Sequence, residues 1–334
     1  MDDVILDRNF KALVVEEVDG TFPRGIREKT IDELPPGDLL VRVHYSSLNY
    51  KDALSASGNK GVTKSYPHTP GIDAAGVVAW SASPDFKEGD EVIVTGNDLG
   101  MNTAGGYGQY IRVPSSWAVK LPLGLSLKES MILGTAGFTA AIMVKKLTDV
   151  VVPADGEIVV TGATGGVGSV SIALLSALGY QVVAVSGKTE ESDFLKKLGA
   201  SRIIPRTEIM KEETRPLLSA SFAGAVDTVG GVMLENILKA IKPYGLVTCC
   251  GNVASPKLNL TVFPFILRGI SLMGISAQNT PMPLRKEVWN KLAGDWKPAS
   301  LLDLYTEIRL EELSVYIDKI LMGKVKGRTL VNMQ

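Results

Sequence analysis

A glycine cluster and a polar segment are the two parts of this sequence whose residue types could do chemistry. The run EIVVTG (157–162) has the composition of a buried strand, and GATGGVG (162–168) continues directly from it. The next residues, SVSIALLSALG (169–179), are apolar at helical spacing and end on a glycine. A tight glycine turn between a strand and a helix aims backbone N–H groups and the positive end of the helix dipole at a phosphate. The segment therefore predicts a dinucleotide-binding turn.

The glycine turn has the pattern Ala163-x-Gly165-Gly166-x-Gly168, which departs from the strict fingerprint because its first position is alanine. Gly165 would let the backbone approach the pyrophosphate, and Gly168 would let the helix pack close to the strand. The alternative is an ordinary glycine-rich turn. The strand before it, the helix after it and the βαβ series that follows favour the dinucleotide.

The residues that follow the second predicted strand favour NADPH over NADH. An Asp or Glu about 20 residues beyond the glycine turn usually holds the ribose 2′-OH of NADH. Here the strand ends on Ser186, Gly187 and Lys188, and a cation suits a 2′-phosphate that a carboxylate would repel. Arg202 or Arg206, at the third strand, could add a second cation. For each cation the alternative is a solvated surface side chain.

The second chemical candidate is the polar segment SSLNYKDAL (46–54), which follows a predicted strand. It carries Asn49, Tyr50, Lys51 and Asp52 in a row, which is unusual for a simple turn. Asn49 and Asp52 could orient a cofactor ribose or amide, and the Tyr50 hydroxyl could donate a proton or polarise a carbonyl group. The alternative is a turn with an aspartate cap.

Two kinds of element must position these residues. Residues 1 to about 130 contain β-branched runs separated by Gly and Pro clusters, which suggest a barrel-like or sandwich domain. From about residue 155 apolar strands alternate with helices, the α/β pattern of a doubly wound parallel sheet covered on both faces. The predicted strands are 11–17, 39–48, 74–81, 91–96, 157–162, 181–187, 201–206, 224–230, 245–251 and 269–276, and the helices are 169–179, 190–199, 212–222 and 232–241.

The C-terminal residues return to mixed content. They contain an amphipathic helix at 311–323 and a strand-like run at 327–333. We expect this strand to pair with the first domain, so that the nucleotide-binding domain is inserted in the β-rich one.

Composition and charge exclude several classes of protein. The chain has 334 residues, which favours two domains. Its 35 basic and 36 acidic residues nearly balance, so the protein has no net positive charge that would attract nucleic acid or an anionic membrane. No apolar run reaches the roughly 18 residues of a membrane span. The only cysteines, Cys249 and Cys250, are adjacent and suggest no disulfide framework, so a reducing cytoplasm is the simplest location. Two cysteines and two histidines also supply a zinc site poorly.

Several motifs together resemble the medium-chain dehydrogenase/reductase superfamily. They are PGIDAAGVV (70–78), EGDEVIVTG (88–96), GGYGQYIRVP (105–114), GTAGFTA (134–140) and TGATGGVG (161–168). Within the superfamily, the chain resembles the zinc-free YhdH/YhfP subgroup of quinone oxidoreductases and acryloyl-CoA reductases. The motifs that carry this resemblance are SSLNYKDAL, TGATGGVGS, VVAVSGK, PFILRGI (264–270) and GRTLV (327–331). The resemblance covers essentially the whole chain.

The resemblance implies a GroES-like catalytic domain (1–130 and 277–334) and a Rossmann NADPH-binding domain (131–276). Zinc-dependent members have a cysteine in the segment where this chain has Asn49, and a Gly-His-Glu element where it has Gly71-Ile72-Asp73. The resemblance therefore implies a zinc-free enzyme with no metal site.

The resemblance also implies where the cofactor is contacted. Thr135 resembles the position that approaches the nicotinamide ring. The other implied contacts are Tyr50, Thr164, Gly165, Gly166, Val167, Ser186, Gly187, Lys188, Cys250, Gly251, Asn252, Ile266 and the region of Arg328.

The implied activity is hydride transfer from NADPH to a quinone or to the activated C=C bond of an enoyl thioester such as acryloyl-CoA. We expect Tyr50 near the reacting oxygen, with Asn49 and Asp52 in positioning roles. A CoA substrate would need cations for its phosphates, for which the candidates are Lys60, Lys64, Arg268 and Arg285.

Two alternatives concern the protein as a whole. An NADPH-binding sensor or structural protein without turnover would need the same glycine turn, so binding and catalysis are not separated by it. The resemblance suggests a homodimer whose nucleotide-binding sheets join edge to edge, with the strand at 269–276 as a candidate edge.

Overall fold

The computed structural model describes residues 8–334, except for the side chain of Thr189, and divides the chain into two compact units. The first unit contains Met1–Thr135, Gln278–Ala293 and Tyr305–Gln334. The second contains Ala136–Ala277 and Gly294–Leu304. In chain order, both segments of the second unit lie between segments of the first.

The first unit is built on β-structure. Its strands are β1 (Asn9–Val15), β2 (Arg24–Thr30), β3 (Leu39–Leu48), β4 (Asp73–Ser81), β5 (Glu91–Thr95), β6 (Tyr110–Val113), β7 (Ala118–Lys120), β14 (Tyr305–Arg309) and β15 (Arg328–Asn332). Strand β1 pairs with β2, and a seven-stranded sheet has the order β14-β15-β3-β4-β5-β7, with β6 also paired to β3. All of these pairs are antiparallel except β14 with β15.

Strand β3 is buried on both faces. Since side chains alternate between the two faces of a strand, Val41 and Val43 belong to one apolar cluster and Leu40 belongs to another, with Phe10 and Tyr110. A one-residue slip would exchange the two sets, so this burial fixes the register of β3. It thereby fixes where the strand ends and the polar segment begins.

The first unit also contains helices. They are α1 (Tyr50–Ser55), the first turns of α2 (Leu127–Thr148), α8 (Met282–Ala293) and α9 (Leu313–Leu321). Single 3-10 turns occur in the first unit at Ile31–Glu33, Ser115–Trp117 and Leu310–Glu312, and in the second unit at Pro153–Asp155, Thr189–Glu191 and Leu301–Asp303.

The second unit is a doubly wound parallel sheet. Its strands are β8 (Ile158–Val160), β9 (Val182–Ser186), β10 (Ala200–Pro205), β11 (Phe222–Asp227), β12 (Ile241–Cys249) and β13 (Ser271–Gly274), in the order β10-β9-β8-β11-β12-β13. Its helices are the rest of α2, α3 (Gly166–Ala177), α4 (Ser192–Lys197), α5 (Arg206–Ile209), α6 (Gly231–Ala240) and α7 (Phe263–Arg268). The order reverses between β8 and β11, which makes the carboxyl ends of these two strands the topological switch point.

Most of the strands and helices predicted from the sequence are confirmed within a few residues. Strand β3 covers the predicted 39–48, and β15 pairs with β3, as expected for the C-terminal strand. Strand β13 lies at the edge of the parallel sheet, as expected. The apolar character of buried parallel strands makes this class of element readable from sequence.

The helix predicted at 212–222 is wrong. The only helix in this part of the described chain is α5, which ends at Ile209, and Pro216 restricts the backbone of the residue before it. Side chains of α6 bind the carbonyl oxygens of the segment instead. Asn236 donates to Ile209 (2.7 Å) and Lys211 (2.8 Å), and Lys239 donates to Glu213 (2.7 Å).

Helix α2 is long and apolar enough to cross a membrane, but 83% of its most apolar window is buried in the protein. It has the burial of a core helix. Its regular backbone is interrupted at Gly134, where φ is +53°. A Cβ atom at this position would lie 2.4 Å from Ser47 Oγ and 2.6 Å from Asp73 Oδ2.

Substitution of Gly134 by alanine should lower the free energy of unfolding by about 3 kcal/mol or more, because it combines overpacking with a left-handed backbone. Gly323→Ala is the matched control, since Gly323 also has a positive φ (+68°) but has no atom within 4 Å of the added Cβ. Urea denaturation should give a loss of about 1 kcal/mol for the control. Equal losses in the two variants would contradict the packing argument.

Candidate active site

Asp73, the first residue of β4, is fully buried and accepts four hydrogen bonds. Its Oδ2 accepts from Ser47 Oγ (2.6 Å), Asn49 Nδ2 (2.8 Å) and the Thr135 backbone N–H (2.9 Å). Its Oδ1 accepts from Thr135 Oγ1 (2.5 Å). Because a carboxylate offers acceptors only, its two oxygens can accept all four of these hydrogen bonds.

Asp52, in the first turn of α1, is a second fully buried carboxyl group. Its Oδ1 accepts from the Ile72 backbone N–H (2.8 Å), and its Oδ2 accepts from the Asn49 backbone N–H (2.8 Å) and from Tyr107 Oη (3.0 Å). Asn49 Nδ2 lies 3.2 Å from the same Oδ2, so the amide group bridges Asp52 and Asp73.

Two buried carboxyl groups this close cannot ionise independently. Burial, with the negative charge of Asp73 adding to it, raises the pKa of Asp52 to about 7. Burial also raises the pKa of Tyr107 well above its ordinary value, so its hydroxyl keeps its proton. When Asp52 is protonated, the Tyr107 hydroxyl has another acceptor, the Ser47 carbonyl oxygen at 3.3 Å. Asp52, hydrogen-bonded to Tyr107, can therefore hold a proton at neutral pH.

Arg328 supplies the positive charge beside these carboxyl groups and is only 3% exposed. Its Nη2 donates to Ser47 Oγ (2.9 Å), and its Nε donates to the Ile132 carbonyl oxygen (3.0 Å). The Ser47 hydroxyl accepts from Arg328 and donates to Asp73, so it links the opposite charges. We call this set the carboxylate network; its members are Ser47, Asn49, Asp52, Asp73, Tyr107, Thr135 and Arg328.

Four site residues predicted from the sequence are brought together in this network. They are Asn49, Asp52, Thr135 and Arg328, which come from three separate segments of the first unit: the start of α1, helix α2 and strand β15. Tyr50 lies beside them at the start of α1, and its side chain is 40% exposed.

Ser47, Asp73 and Tyr107 were not among the predicted site residues. A charged residue that opens the apolar run DAAGVV was the available signal for Asp73, because a buried carboxylate needs partners. No comparable signal marks Tyr107, which meets Asp52 across 55 residues of chain only after folding.

In the second unit, the glycine turn lies between β8 and α3, as predicted. Helix α3 begins at Gly166 with Gly165 as its N-cap residue, and the N–H groups of a first helical turn have no intrahelical acceptor. A Cβ at Gly168 would lie 2.3 Å from the Gly162 carbonyl oxygen, so this glycine is required by packing. A Cβ at Gly165 would meet only the Gly162 oxygen, at 3.2 Å. The open space there fits the close approach of a ligand.

A buried polar contact joins the loops that follow β8 and β11. Thr161 Oγ1 donates to Asp227 Oδ1 (2.7 Å), and the Thr228 backbone N–H donates to Thr161 Oγ1 (2.9 Å). Gly162 has φ +57°, and a Cβ there would lie 2.2 Å from Thr228 Oγ1. These contacts fix the glycine turn at the switch point, where open α/β sheets bind their ligands.

The end of β9 carries the predicted phosphate-binding residues Ser186, Gly187 and Lys188. The Lys188 backbone N–H donates to Ser186 Oγ (3.0 Å), which makes a tight turn. Strand register pairs Ser186 with Pro205, so Arg206 follows at the same sheet edge. A Cβ at Gly187 would lie 2.6 Å from Arg206 Nε, so the glycine allows the guanidinium group to lie against the backbone.

Arg202, which was predicted as a candidate second cation, lies near the start of β10. Its register partner is Val183 rather than Ser186. Its guanidinium donates to both carboxylate oxygens of Glu157, at 2.6 and 3.2 Å. The structure therefore brings Arg206, and not Arg202, to the end of β9.

The remaining predicted cofactor positions lie after β12 and on α7. A Cβ at Gly251 would lie 2.1 Å from the Thr228 carbonyl oxygen, so this turn packs against the loop that follows β11. Asn252 is exposed, and Ile266 is 66% exposed. Burial raises the pKa of the Cys250 thiol to about 12, which makes it unreactive, as expected.

Within residues 8–334, no group of three or more His, Cys, Asp and Glu side chains is arranged to hold a metal ion. Asn49, which stands where the resemblance places a zinc-binding cysteine, donates through its amide to Asp73 and Asp52.

The cations considered for CoA phosphates differ in their surroundings. Arg285 is 1% exposed and donates to Thr95 O (2.7 Å) and Thr95 Oγ1 (2.9 Å). Arg268 donates to the carbonyl oxygens of Lys239 and Ile241. Lys60 pairs with Glu17 (2.6 Å), and Lys64 is exposed. The two arginines are therefore used in holding the fold.

Two family models match the chain. The model described as "Alcohol dehydrogenase GroES-like domain" matches residues 35–123, and the one described as "Zinc-binding dehydrogenase" matches residues 166–294. Together they cover segments of both compact units.

Relatives match over almost their full length. The chain is 44% identical over 322 residues to the "Probable acrylyl-CoA reductase AcuI" of Escherichia coli (strain K12), covering 96% of this chain and 99% of that protein. It is 41% identical over 326 residues to the "Putative quinone oxidoreductase YhfP" of Bacillus subtilis (strain 168), covering 97% and 99%.

Solved structures of such relatives have the same fold. The yhdH oxidoreductase of Salmonella enterica, in complex with NADP, superposes with a TM-score of 0.94 at 45% identity and covers 97% of this chain and 100% of its own. The Bacillus subtilis protein yhfP with NAD bound gives a TM-score of 0.95 at 41% identity and covers 98% and 100%.

The raised pKa of Asp52 predicts a pH-dependent stability. The folded protein keeps the Asp52 proton up to about pH 7, whereas the unfolded chain loses it near pH 4, so this group stabilises the fold at low pH and the contribution is lost as pH rises toward 7. Asp52→Asn does not titrate. Between pH 5 and pH 8 the unfolding free energy of the wild type should therefore fall relative to this variant by roughly 2–3 kcal/mol.

Urea denaturation at several pH values measures this difference. Asp149→Asn is the control, because Asp149 is exposed at the end of α2 and its replacement should leave the pH dependence unchanged. A constant offset between Asp52→Asn and the wild type would show that Asp52 is ionised throughout.

Proposed function

The chain belongs to the medium-chain dehydrogenase/reductase superfamily and is an NADPH-dependent oxidoreductase, and we propose that it reduces the activated C=C bond of a short enoyl thioester such as acryloyl-CoA. The glycine turn at the switch point and the cations at the end of β9 support NADPH as the cofactor. The 44% identity to AcuI supports an enoyl thioester as the hydride acceptor.

We assign NADPH to the second unit. The first-turn N–H groups of α3 and the open space at Gly165 fit a pyrophosphate. Lys188 and Arg206 follow the ends of two adjacent parallel strands, and two cations at one sheet edge fit a 2′-phosphate. Asn252 and Ile266 are exposed enough to contact the rest of the cofactor.

Bound NADPH would supply a hydride from C4 of its nicotinamide ring. The residues of the first unit must then hold the acceptor and stabilise the oxygen that gains negative charge. We assign the exposed Tyr50 hydroxyl to this oxygen, and Asn49 and Asp52 to positioning, since both are held by the carboxylate network. Thr135, whose backbone and hydroxyl bind Asp73, is assigned to the nicotinamide side.

We propose that the reaction needs no zinc. Zn²⁺ is bound by thiolate, imidazole and carboxylate ligands. Where zinc-dependent members of the superfamily have cysteine and histidine, this chain has Asn49 and Ile72. The Asn49 amide nitrogen donates to two carboxyl groups, a role that a metal ligand does not have.

A quinone is the second candidate acceptor, favoured by the 41% identity to YhfP. A quinone oxygen gains negative charge on hydride addition, as a thioester oxygen does, so the same residues would serve both acceptors. A CoA thioester differs because its phosphates need cations, and Lys60 and Lys64 are the exposed candidates in the first unit.

We also propose a homodimer in the cytoplasm. Strand β13 lies at the edge of the parallel sheet, and Leu267 and Met273 expose apolar surface near it. Two adjacent free cysteines suit a reducing compartment. Sedimentation equilibrium should give twice the chain mass of 35.7 kDa; a monomer would rule out the dimer.

Replacement of both Lys188 and Arg206 by alanine should raise the KM for NADPH about 100-fold or more and leave the KM for NADH nearly unchanged, because each charge-assisted hydrogen bond to phosphate contributes about 1.5–3 kcal/mol. Steady-state kinetics with both cofactors measure this. Arg202→Ala decides between the two arginines. A larger loss of NADPH preference in Arg202→Ala than in Arg206→Ala would show that the second cation is Arg202.

Oxidation of NADPH, followed at 340 nm with acryloyl-CoA and with a soluble quinone, tests the function itself. We expect turnover with acryloyl-CoA, and Tyr50→Phe should lower kcat about tenfold with little change in NADPH affinity. Faster turnover of the quinone would favour the second candidate. Tight NADPH binding without turnover of either acceptor would favour a sensor, and unchanged kcat in Tyr50→Phe would exclude that hydroxyl from the reaction.

A further inference from the structure

The first turn of α1 presents different residues to the protein interior and to the open side. Asn49 and Asp52, three residues apart, both point into the carboxylate network. Tyr50 and Lys51 lie between them in sequence and point elsewhere; Tyr50 is 40% exposed and Lys51 is half-buried. Because Asp52 is fixed by Ile72 and Tyr107, the backbone that carries Lys51 is fixed as well.

Lys51 is a half-buried cation that forms no ion pair with any described residue. Its Nζ donates to Gln278 Oε1 at 2.8 Å, and Gln278 is a neutral partner. A lysine ammonium has three donors, so this contact leaves others for a ligand. The neighbouring Asp52 carboxyl group has its oxygens occupied by Ile72, Asn49 and Tyr107.

Gln278 is itself held in place. Its backbone carbonyl oxygen accepts hydrogen bonds from the Asn97 backbone N–H (2.9 Å) and from Arg285 Nη2 (3.1 Å). Arg285 is buried and anchored on Thr95, so the partner of Lys51 is attached to the core of the first unit. Because the backbone of Lys51 and the backbone of its partner Gln278 are both held in place, the ammonium group loses little conformational freedom when it binds a ligand.

A partly desolvated ammonium group whose described hydrogen-bond partner is neutral is costly to keep charged. Burial lowers the pKa of Lys51, while the nearby Asp52 raises it. Such a cation attracts negative charge that develops beside it strongly, because the local dielectric constant is low. The geometry thus provides, next to Tyr50, a donor suited to an oxyanion.

We propose that the Lys51 ammonium group binds the carbonyl oxygen of the acceptor and stabilises the negative charge that hydride addition places on it. The proposal rests on the proposed hydride transfer and names the residue that receives its charge. It makes Lys51 a catalytic residue and Gln278 its positioning residue.

The chemical step balances without a further reactant. Addition of hydride to the β-carbon of the enoyl thioester forms a C–H bond and breaks the C=C π bond, whose electron pair moves onto the thioester oxygen. A Lys51 N–H donates a hydrogen bond to this enolate oxygen. The α-carbon then takes a proton from solvent, the carbonyl group re-forms, and Lys51 ends unchanged. One hydride and one proton are added overall.

Three variants of the full-length protein test the proposal, with acryloyl-CoA and a soluble quinone as acceptors. Lys51→Met keeps the apolar stem and removes the charge, and kcat should fall about 100-fold, the usual effect of deleting an oxyanion donor. Lys51→Arg keeps the charge and should retain more activity than Lys51→Met. Gln278→Leu should reduce kcat about 5- to 10-fold, because Lys51 loses its fixed partner.

The dissociation constant for NADPH and the unfolding midpoint show that each variant is folded, and both should match the wild type. Lys11→Met, at an exposed position on β1, is the control for removal of a lysine charge and should leave kcat unchanged. If Lys51 only packed, Lys51→Met would be more active than Lys51→Arg, and this order would overturn the proposal. A Lys51→Met variant that keeps more than a third of wild-type kcat would also overturn it. A wild-type protein that turns over neither acceptor would overturn this proposal and the proposed function together.

Discussion

A carboxylate that leaves water must be surrounded by donors, and Asp73 meets this requirement with groups from distant parts of the first unit. Ser47 comes from the end of β3, Asn49 from the start of α1, and Thr135 from helix α2. Each of these donors is oriented because the charge it binds cannot be left unpaired. The backbone obeys the same constraint, since a side chain at Gly134 or Gly106 would collide with Asp73.

The charge balance of the first unit follows from this carboxylate. Arg328 compensates Asp73 through the Ser47 hydroxyl, whereas Asp52 is bound by neutral donors of Ile72, Asn49 and Tyr107. Burial, with the charge of Asp73 adding to it, raises the pKa of Asp52, which keeps its proton up to about pH 7. The cluster is closed toward the interior, and the remaining side chains of the same helical turn, Tyr50 and Lys51, are the groups left for a ligand. In the proposed mechanism, positioning and chemistry are divided between neighbouring residues of one short helix.

The second unit solves a similar problem at its switch point. Asp227 ends β11 in a fully buried position and is bound by Thr161 Oγ1 and by the backbone N–H groups of Val229 and Gly230. These contacts hold the loops after β8 and β11 against each other. The glycine turn then needs little rearrangement to receive a pyrophosphate, which is the preorganisation that makes such sites bind well. In both units a buried aspartate fixes the loops from which the proposed ligand contacts come.

Elements and sites that depend on local patterns could be predicted from the amino-acid sequence. Apolar runs located the parallel strands, because strands buried on both faces are apolar throughout, and the glycine turn was recognisable because only glycine allows its close approaches. Helix prediction failed at 212–222, where Pro216 restricts the backbone and Lys239 of α6 binds the Glu213 carbonyl oxygen.

The contacts between residues distant in sequence could not be predicted in this way, because they depend on the folded arrangement of the whole unit. Register placed Arg206 rather than Arg202 at the end of β9, although both lie at the same predicted strand. Tyr107 and Asp73 joined the site through contacts across tens of residues, and Gln278 reached Lys51 across 227 residues. Local patterns report the cost of placing one residue in one conformation. The partner of a buried charge is selected by the packing of the whole unit, and no short stretch of sequence contains that information.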